Sequence, residues 1–241
     1  IDIKDINENY NVAEFQRNAR NLIDEISLNH KLPIIVGGTG LYVKAVLYDY
    51  VFNDEIETSE PKLEQYSNEQ LMNELLKLDP LTADKIHINN RKRLLRALTM
   101  ALKGTSRSEV LALQEHQLIY DCLIIGLSIE RSELYKRIDQ RVDDMITRGL
   151  FNEVDNLYHK YLDLFTYQAM QGIGYREWQA YYSGLLSKDE VIQEIKKHSR
   201  QFAKRQYTWF NNQMNVDWYD INEADFIDKI MKKVARWLRD E

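Results

Sequence analysis

The feature that most narrows the fold of this chain is a short apolar run closed by glycines, Ile34-Ile35-Val36-Gly37-Gly38-Thr39-Gly40-Leu41-Tyr42. Three apolar residues in a row, all β-branched and bounded by a glycine turn, predict a buried parallel strand. A strand covered on both faces needs no polar alternation. Ahead of it, Phe15, Ala19, Leu22, Ile23 and Ile26 recur at helical spacing over residues 13–26, and a second helix is predicted from residue 41 to about residue 48. Helix, strand, glycine turn and helix in succession predict a doubly wound α/β layer.

The same turn is the first candidate for chemistry. Glycines let the backbone approach a ligand closely, and the helix that follows offers unpaired N–H groups to an anion. Thr39 adds a hydroxyl suited to a phosphate or a reacting amine. The segment lacks the lysine of a Walker A motif, and a tight turn with Thr39 as a helix cap accounts for the spacing equally well. Both readings stay open at this level.

From residue 51 to residue 119 the chain is polar and rich in Leu, Lys, Glu and Asn, without a convincing strand. Helices are predicted at 69–78, 80–87 and 90–103. The run Cys122-Leu-Ile-Ile-Gly-Leu127 predicts a strand that returns the chain to the sheet, and the remainder reads as predominantly helical. Near the end Ile227, Ile230, Val234 and Trp237 share one helix face. The expected organisation is an α/β core with C-terminal helices, residues 1–52 and 120–241, interrupted by a helical insertion, residues 53–119.

The formal net charge of −6 argues mildly against a nucleic-acid partner when averaged over the chain, but the charges are unevenly distributed. Acidic residues crowd the ends, while cations gather in three internal helical segments. In the first, Leu94, Leu95 and Leu98 face a core, and Lys92 and Arg96 stand one turn apart. Such a pair repels by a few tenths of a kcal/mol unless an anion bridges it. In the second, over residues 131–148, Leu134, Ile138, Val142, Met145 and Ile146 form an apolar arc flanked by Arg137, Arg141 and Arg148. An arginine there needs a partner, supplied either by Asp139, Asp143 or Asp144 or by a pyrophosphate. In the third, Lys196, Arg200 and Lys204 form an i, i+4 stripe beside Ile192, Ile195, Phe202 and Trp209, a pattern suited to phosphates and unpaired bases or to a solvated helix face.

Several classes are disfavoured. The histidines His30, His87, His116, His159 and His198 show no metal-ligand spacing, and no Ser/His/Asp or Cys/His arrangement is legible. The single cysteine, Cys122, excludes an internal disulfide and fits a reducing cytoplasm. No apolar run approaches the roughly 20 residues of a membrane span.

Taken as an ordered set, these segments resemble the tRNA dimethylallyltransferases, or isopentenyl-diphosphate:tRNA transferases. The resemblance is carried by Ile1-Asp2-Ile3 with Tyr10-Asn11-Val12-Ala13-Glu14-Phe15, by Leu32-Pro33 through Tyr42, and by His87-Ile88-Asn89-Asn90 through Leu98. It continues in Leu134-Tyr135-Lys136-Arg137-Ile138 with Arg141-Val142-Asp143, in Gln171-Gly172-Ile173-Gly174-Tyr175-Arg176-Glu177, and in Ala203-Lys204-Arg205-Gln206-Tyr207-Thr208-Trp209-Phe210.

The resemblance implies a P-loop-NTPase-like parallel sheet core with an inserted helical subdomain that grips the anticodon stem-loop. It also implies transfer of a dimethylallyl group from its diphosphate to the N6 amine of an adenosine beside the anticodon, with Mg²⁺ and by a monomer. By analogy Thr39 lies near the amine, and Arg141, with Arg137, supports the leaving pyrophosphate. Gly37, Gly38, Gly40, Tyr42, Lys92, Arg93, Arg96, Gln171, Gly174, Tyr175, Arg176, Lys204, Arg205, Gln206, Thr208 and Trp209 are implied to bind substrate or tRNA.

Lys92 and Asn211 stand where glutamine and arginine are more usual, and the acidic run 53–60 is short for the family. The family's Gly-rich phosphate loop and its base-bearing Asp segment would precede Ile1, so the 241 residues alone are expected to be inactive. A truncated, non-catalytic tRNA-binding module and an adenine-nucleotide isopentenyltransferase remain as alternatives.

Overall fold

A computed structural model describes residues 3–52, 62–104, 108 and 117–239. Readings that fall on residues 1–2, on 53–60 and on His116 lie outside the described residues. In chain order the helices and strands are α1 (Val12–Leu28), α2 (Gly40–Leu47), α3 (Asn68–Leu78), α4 (Pro80–Ala83), α5 (Arg91–Leu102), β1 (Ile125–Ser128), α6 (Arg131–Thr147), α7 (Leu150–Lys160), α8 (Trp178–Tyr182), α9 (Lys188–Gln213), β2 (Asp217–Asp220) and α10 (Phe226–Trp237). Local chemistry sets many of the starts. Asn11 caps α1 by accepting from the Glu14 N–H, and Ser67 and Ser187 form reciprocal capping boxes with Gln70 and Glu190, which satisfy otherwise orphaned N–H groups. Between α6 and α7 the chain reverses through Gly149, whose φ of 102° is a left-handed conformation costly for any residue with a Cβ.

The chain divides into two compact units, residues 1–44 with 121–241 and residues 45–120, the division falling within α2. In the smaller unit α3, α4 and α5 enclose Leu71, Leu75, Ala83, Ile86, Leu94, Ala97 and Leu98. The predicted helix at 80–87 lasts only from Pro80 to Ala83. Ile86 is drawn into that core, and the next helix restarts at the Asn90 cap, whose side chain accepts from the Arg93 N–H.

In the larger unit α6, α7, α8 and α9 pack around Val142, Leu150, Val154, Leu164, Met170, Trp178, Val191 and Ile195. Its sheet, among the described residues, is one parallel pair in which Ile125 to Ser128 lie opposite Asp217 to Asp220. Parallel pairing across a helical connection is what an α/β fold requires. The sheet docks on α9 through Tyr207, whose ring stacks on Trp218 at 4.9 Å and whose hydroxyl donates to the Leu127 carbonyl at 3.3 Å. Trp218 in turn lies so close over Gly126 that a Cβ there would overlap its ring.

One expectation is corrected. Ile34, Ile35 and Val36 do not form a buried strand. They are irregular, and 76%, 39% and 91% exposed. A buried parallel strand requires hydrogen-bonded neighbours and a layer on each face, and no described strand pairs with this run. Conversely, nothing in the sequence pattern announces β2, because Asp217-Trp218-Tyr219-Asp220 is uniformly half-buried and shows neither alternation nor an apolar run.

Trp178 is the largest fully buried side chain. Its ring meets Phe151 at 5.2 Å and Tyr181 at 6.0 Å, and its Nε1 donates to the Gly174 carbonyl at 3.0 Å. Trp178→Ala should therefore cost about 3–5 kcal/mol of stability, read as a lower denaturation midpoint at unchanged slope.

Candidate active site and nucleic-acid interface

The glycine turn is held against α9. The Gln206 side-chain amide donates to the Gly38 carbonyl at 2.8 Å, and a Cβ on Gly38 would overlap that same amide nitrogen. At Gly40 a Cβ would run into the Trp209 ring. Gly37 has open space around it, so of the three glycines two are required by contact with α9. Lys44, one turn further along α2, donates to Gln213 at 3.0 Å.

This seating frames Thr39. Its carbonyl accepts from the Tyr42 and Val43 N–H groups at 2.9 and 3.1 Å, so Thr39 occupies the cap position of α2. Its hydroxyl makes no hydrogen bond among the described residues and is exposed, unlike the capping side chains of Asn11 or Ser187. The capping alternative thus accounts for the backbone and leaves the hydroxyl unused. Tyr42 is committed elsewhere: its ring packs on Phe15 at 4.9 Å, and burial, then the nearby Tyr10, pushes its hydroxyl pKa up.

On α6 the three candidate aspartates are committed, and not to Arg141. Asp139 pairs with Arg200, Asp143 with Lys196 at 2.7 Å, and Asp144 accepts from Gln140. Lys196 and Arg200 therefore tie α9 to α6, and the predicted three-cation stripe reduces to Lys204. Arg137 pairs with Glu133 at 2.5 Å, and Glu133 also accepts from Asn222. Arg141 is exposed and has no hydrogen bond or ion pair among the described residues. About 200° of helical rotation separates it from Asp139 on the helix that carries both. Neither arginine hydrogen-bonds to the glycine turn.

Farther along α9, Lys204 is exposed and unpaired among the described residues. Arg205 lies over the Phe202 ring at 5.9 Å, and Thr208 donates back to the Lys204 carbonyl. In the smaller unit Lys92, Arg93 and Arg96 are exposed on α5 with no side-chain partner among the described residues. Their neighbour Arg91 is structural, donating to the Tyr66 and Glu64 carbonyls at 2.7 and 2.6 Å. Five cations predicted to meet nucleic acid thus carry no compensating carboxylate among the described residues.

The segment 171–177 forms a separate cluster. Gly174 adopts a φ of 99°. Gln171 donates to the Phe165 carbonyl at 2.7 Å, and the Tyr175 hydroxyl donates to Glu153 at 2.7 Å; burial and that carboxylate push the Tyr175 pKa up to about 12. Beneath the turn lies Glu177, a residue for which the sequence pattern suggests no role. It accepts from the Gly174 N–H at 2.8 Å and from Arg176 Nε at 3.0 Å, and meets His198 Nδ1 at 2.7 Å. Burial raises its pKa, but the Gly174, His198 and Arg176 hydrogen bonds outweigh burial and leave the carboxyl below its ordinary value. The only sequence signal for it is a carboxylate directly after Arg176, behind a glycine turn.

Gly40→Ala should impair activity more than Gly38→Ala. The Gln206 side chain can swing away, whereas the Trp209 indole can clear a new methyl only by moving as a rigid ring. Tryptophan fluorescence and transfer rates, measured on both variants, check the order.

The family model described as IPP transferase matches residues 1–213. The tRNA dimethylallyltransferase of Anoxybacillus flavithermus is 44% identical over 241 residues, spanning 99% of this chain and 77% of that protein. Its counterpart in Geobacillus thermodenitrificans is 45% identical with the same coverage. Among solved structures, the full-length tRNA isopentenylpyrophosphate transferase of Bacillus halodurans superposes with a TM-score of 0.70 at 39% identity, covering 100% of this chain and 78% of that one. A eukaryotic dimethylallyltransferase acting on tRNA gives a TM-score of 0.79 at 27% identity, over 96% of this chain and 62% of its own. On sequence and on fold, the chain belongs to the IPP transferase family.

Proposed function

We propose that this protein is a prenyltransferase that moves a dimethylallyl group from dimethylallyl diphosphate to tRNA, at the N6 amine of the adenosine next to the anticodon. The observation that carries the reading is the uncommitted Thr39 hydroxyl, held at a glycine turn seated on Gln206 and Trp209, in a chain of this family. In the reaction the allylic C1–O bond breaks as the N6–C1 bond forms, pyrophosphate departs with the bonding electron pair, and the amine gives its proton to a general base. A hydroxyl is too weak a base for that proton, so Thr39 serves to hold and orient the amine. Arg141, with no carboxylate partner among the described residues, offers its planar fork to the departing pyrophosphate. Arg137, already paired with Glu133, contributes less.

The tRNA reading rests on the unpaired cations. Lys204 and Arg205 lie on the helix against which the glycine turn is seated, and Lys92, Arg93 and Arg96 lie on α5 of the inserted unit, which we assign to the anticodon stem-loop. The adenine must leave its stack to be modified, at a cost of a few kcal/mol that such contacts offset. Trp209 and Gln206 are suited to stack on and hydrogen-bond an unpaired base. Mg²⁺ is proposed as the cofactor, to neutralise charge on the diphosphate oxygens. Among the described residues no cluster of three His, Cys, Asp or Glu side chains could hold it, so no step is assigned to the ion. No helix of the described residues is long and apolar enough to cross a membrane. A cytoplasmic monomer is the proposed working form.

Transfer of label from dimethylallyl diphosphate to an anticodon stem-loop is the direct test, and no transfer by the whole protein with Mg²⁺ present would refute the reading. Labelling of free adenine nucleotide instead would favour a nucleotide prenyltransferase. Arg141→Ala should lower kcat by about a hundredfold, with Arg137→Ala well short of that. Reversing the charge of Lys204 and Arg205 should weaken stem-loop binding and reduce its log–log salt slope by about one for each phosphate that is no longer neutralised.

A further inference from the structure

Glu177 is the only buried carboxylate among the described residues of the larger unit. Its side chain is 4% exposed, and a carboxylate at that depth costs several kcal/mol unless it is fully paired. All of its pairing goes to one place. Oε2 takes the Gly174 N–H, and Oε1 takes Arg176 Nε and faces His198 Nδ1 on α9. The second His198 nitrogen lies 3.6 Å from Glu194, one turn back on the same helix. One carboxylate thus joins a left-handed glycine turn, an arginine on that turn and the long helix below it.

Arg176 is the exposed end of this network. Its side chain is 41% exposed and is gripped through Nε, and its two terminal nitrogens have no hydrogen bond or ion pair among the described residues. Holding a guanidinium at Nε removes much of its rotamer freedom while leaving the Nη1/Nη2 edge open. That edge presents two parallel N–H groups, matched to two oxygens of one phosphate. A lysine at the same place would bring charge without the fixed fork.

We propose that Glu177 is a positioning residue of the RNA interface, which locks the 172–176 turn onto α9 and aims the free edge of Arg176 at a single backbone phosphate of the tRNA. The proposal rests on the tRNA reading above. A merely structural Glu177 would stabilise the unit without acting through Arg176, and the two roles separate in a double-mutant cycle.

The test is stem-loop binding and steady-state kinetics of the whole protein, with thermal melts of every variant. Arg176→Ala, Arg176→Lys and Glu177→Gln should each weaken stem-loop binding by about tenfold. The double variant Arg176→Ala/Glu177→Gln should bind no more weakly than Arg176→Ala alone. The loss should appear in KM for the stem-loop and not in KM for dimethylallyl diphosphate. Normal binding by Arg176→Lys or by folded Glu177→Gln, or additive losses in the double variant, would overturn the positioning role. Normal binding by Arg176→Ala would remove the phosphate contact and the proposal with it. In that case the wild-type protein still binds and modifies the stem-loop, whereas failure of the tRNA reading would show as no wild-type binding at all. If Glu177→Gln does not fold, Arg176→Lys, a change at an exposed position, decides alone.

Discussion

The arrangement of the larger unit depends on how closely α9 can be approached. Helix α9 is 26 residues long, and nearly every element that bears a candidate site residue in this unit is fastened to it. Gly38 and Gly40 bring the turn down onto Gln206 and Trp209, Asp139 and Asp143 bind α6 through Arg200 and Lys196, and Glu177 binds the 172–176 turn through His198. Tyr207 carries the sheet by stacking on Trp218. A side chain at Gly40 would push the turn off the indole ring, and the Thr39 hydroxyl would move with it.

Charge pairing then sorts the cations by role. A salt bridge at the surface contributes little stability, about 0–1 kcal/mol, but it removes an arginine or lysine from the set available to an anion. Lys196, Arg200 and Arg137 are removed in this way, and Arg91 is bound to backbone carbonyls. Arg141, Lys204, Lys92, Arg93 and Arg96 have no carboxylate partner among the described residues. Although the chain carries a formal net charge of −6, these local positive groups are what a polyanion would meet. Arg176 is intermediate, with one edge paired and the other open.

Much of this is legible from residues alone. Periodicity locates α1, α3, α5 and α6 to within a few residues, because an amphipathic helix repeats its apolar positions about every 3.6 residues. The parallel partner β2 is not legible, since a half-buried strand with charged ends displays no period. The run at 34–36 misleads for the complementary reason: β-branched apolar residues declare a preference for burial, while the burial itself depends on neighbours that a local window does not contain.

The candidate site divides along the same line. Residue type and order determined the chemistry on offer: a hydroxyl on a glycine turn, arginines beside an apolar arc, and cations interleaved with aromatic and amide side chains. Tertiary structure decided which of these groups remain available, by spending Lys196, Arg200 and Arg137 on carboxylates and leaving the Thr39 hydroxyl and the Arg141 guanidinium without partners among the described residues. It also decided the pairing of Glu177, which meets a histidine 21 residues away. A hydrogen bond is set by the distance between two atoms, and for residues on different elements only the folded chain brings those atoms within reach.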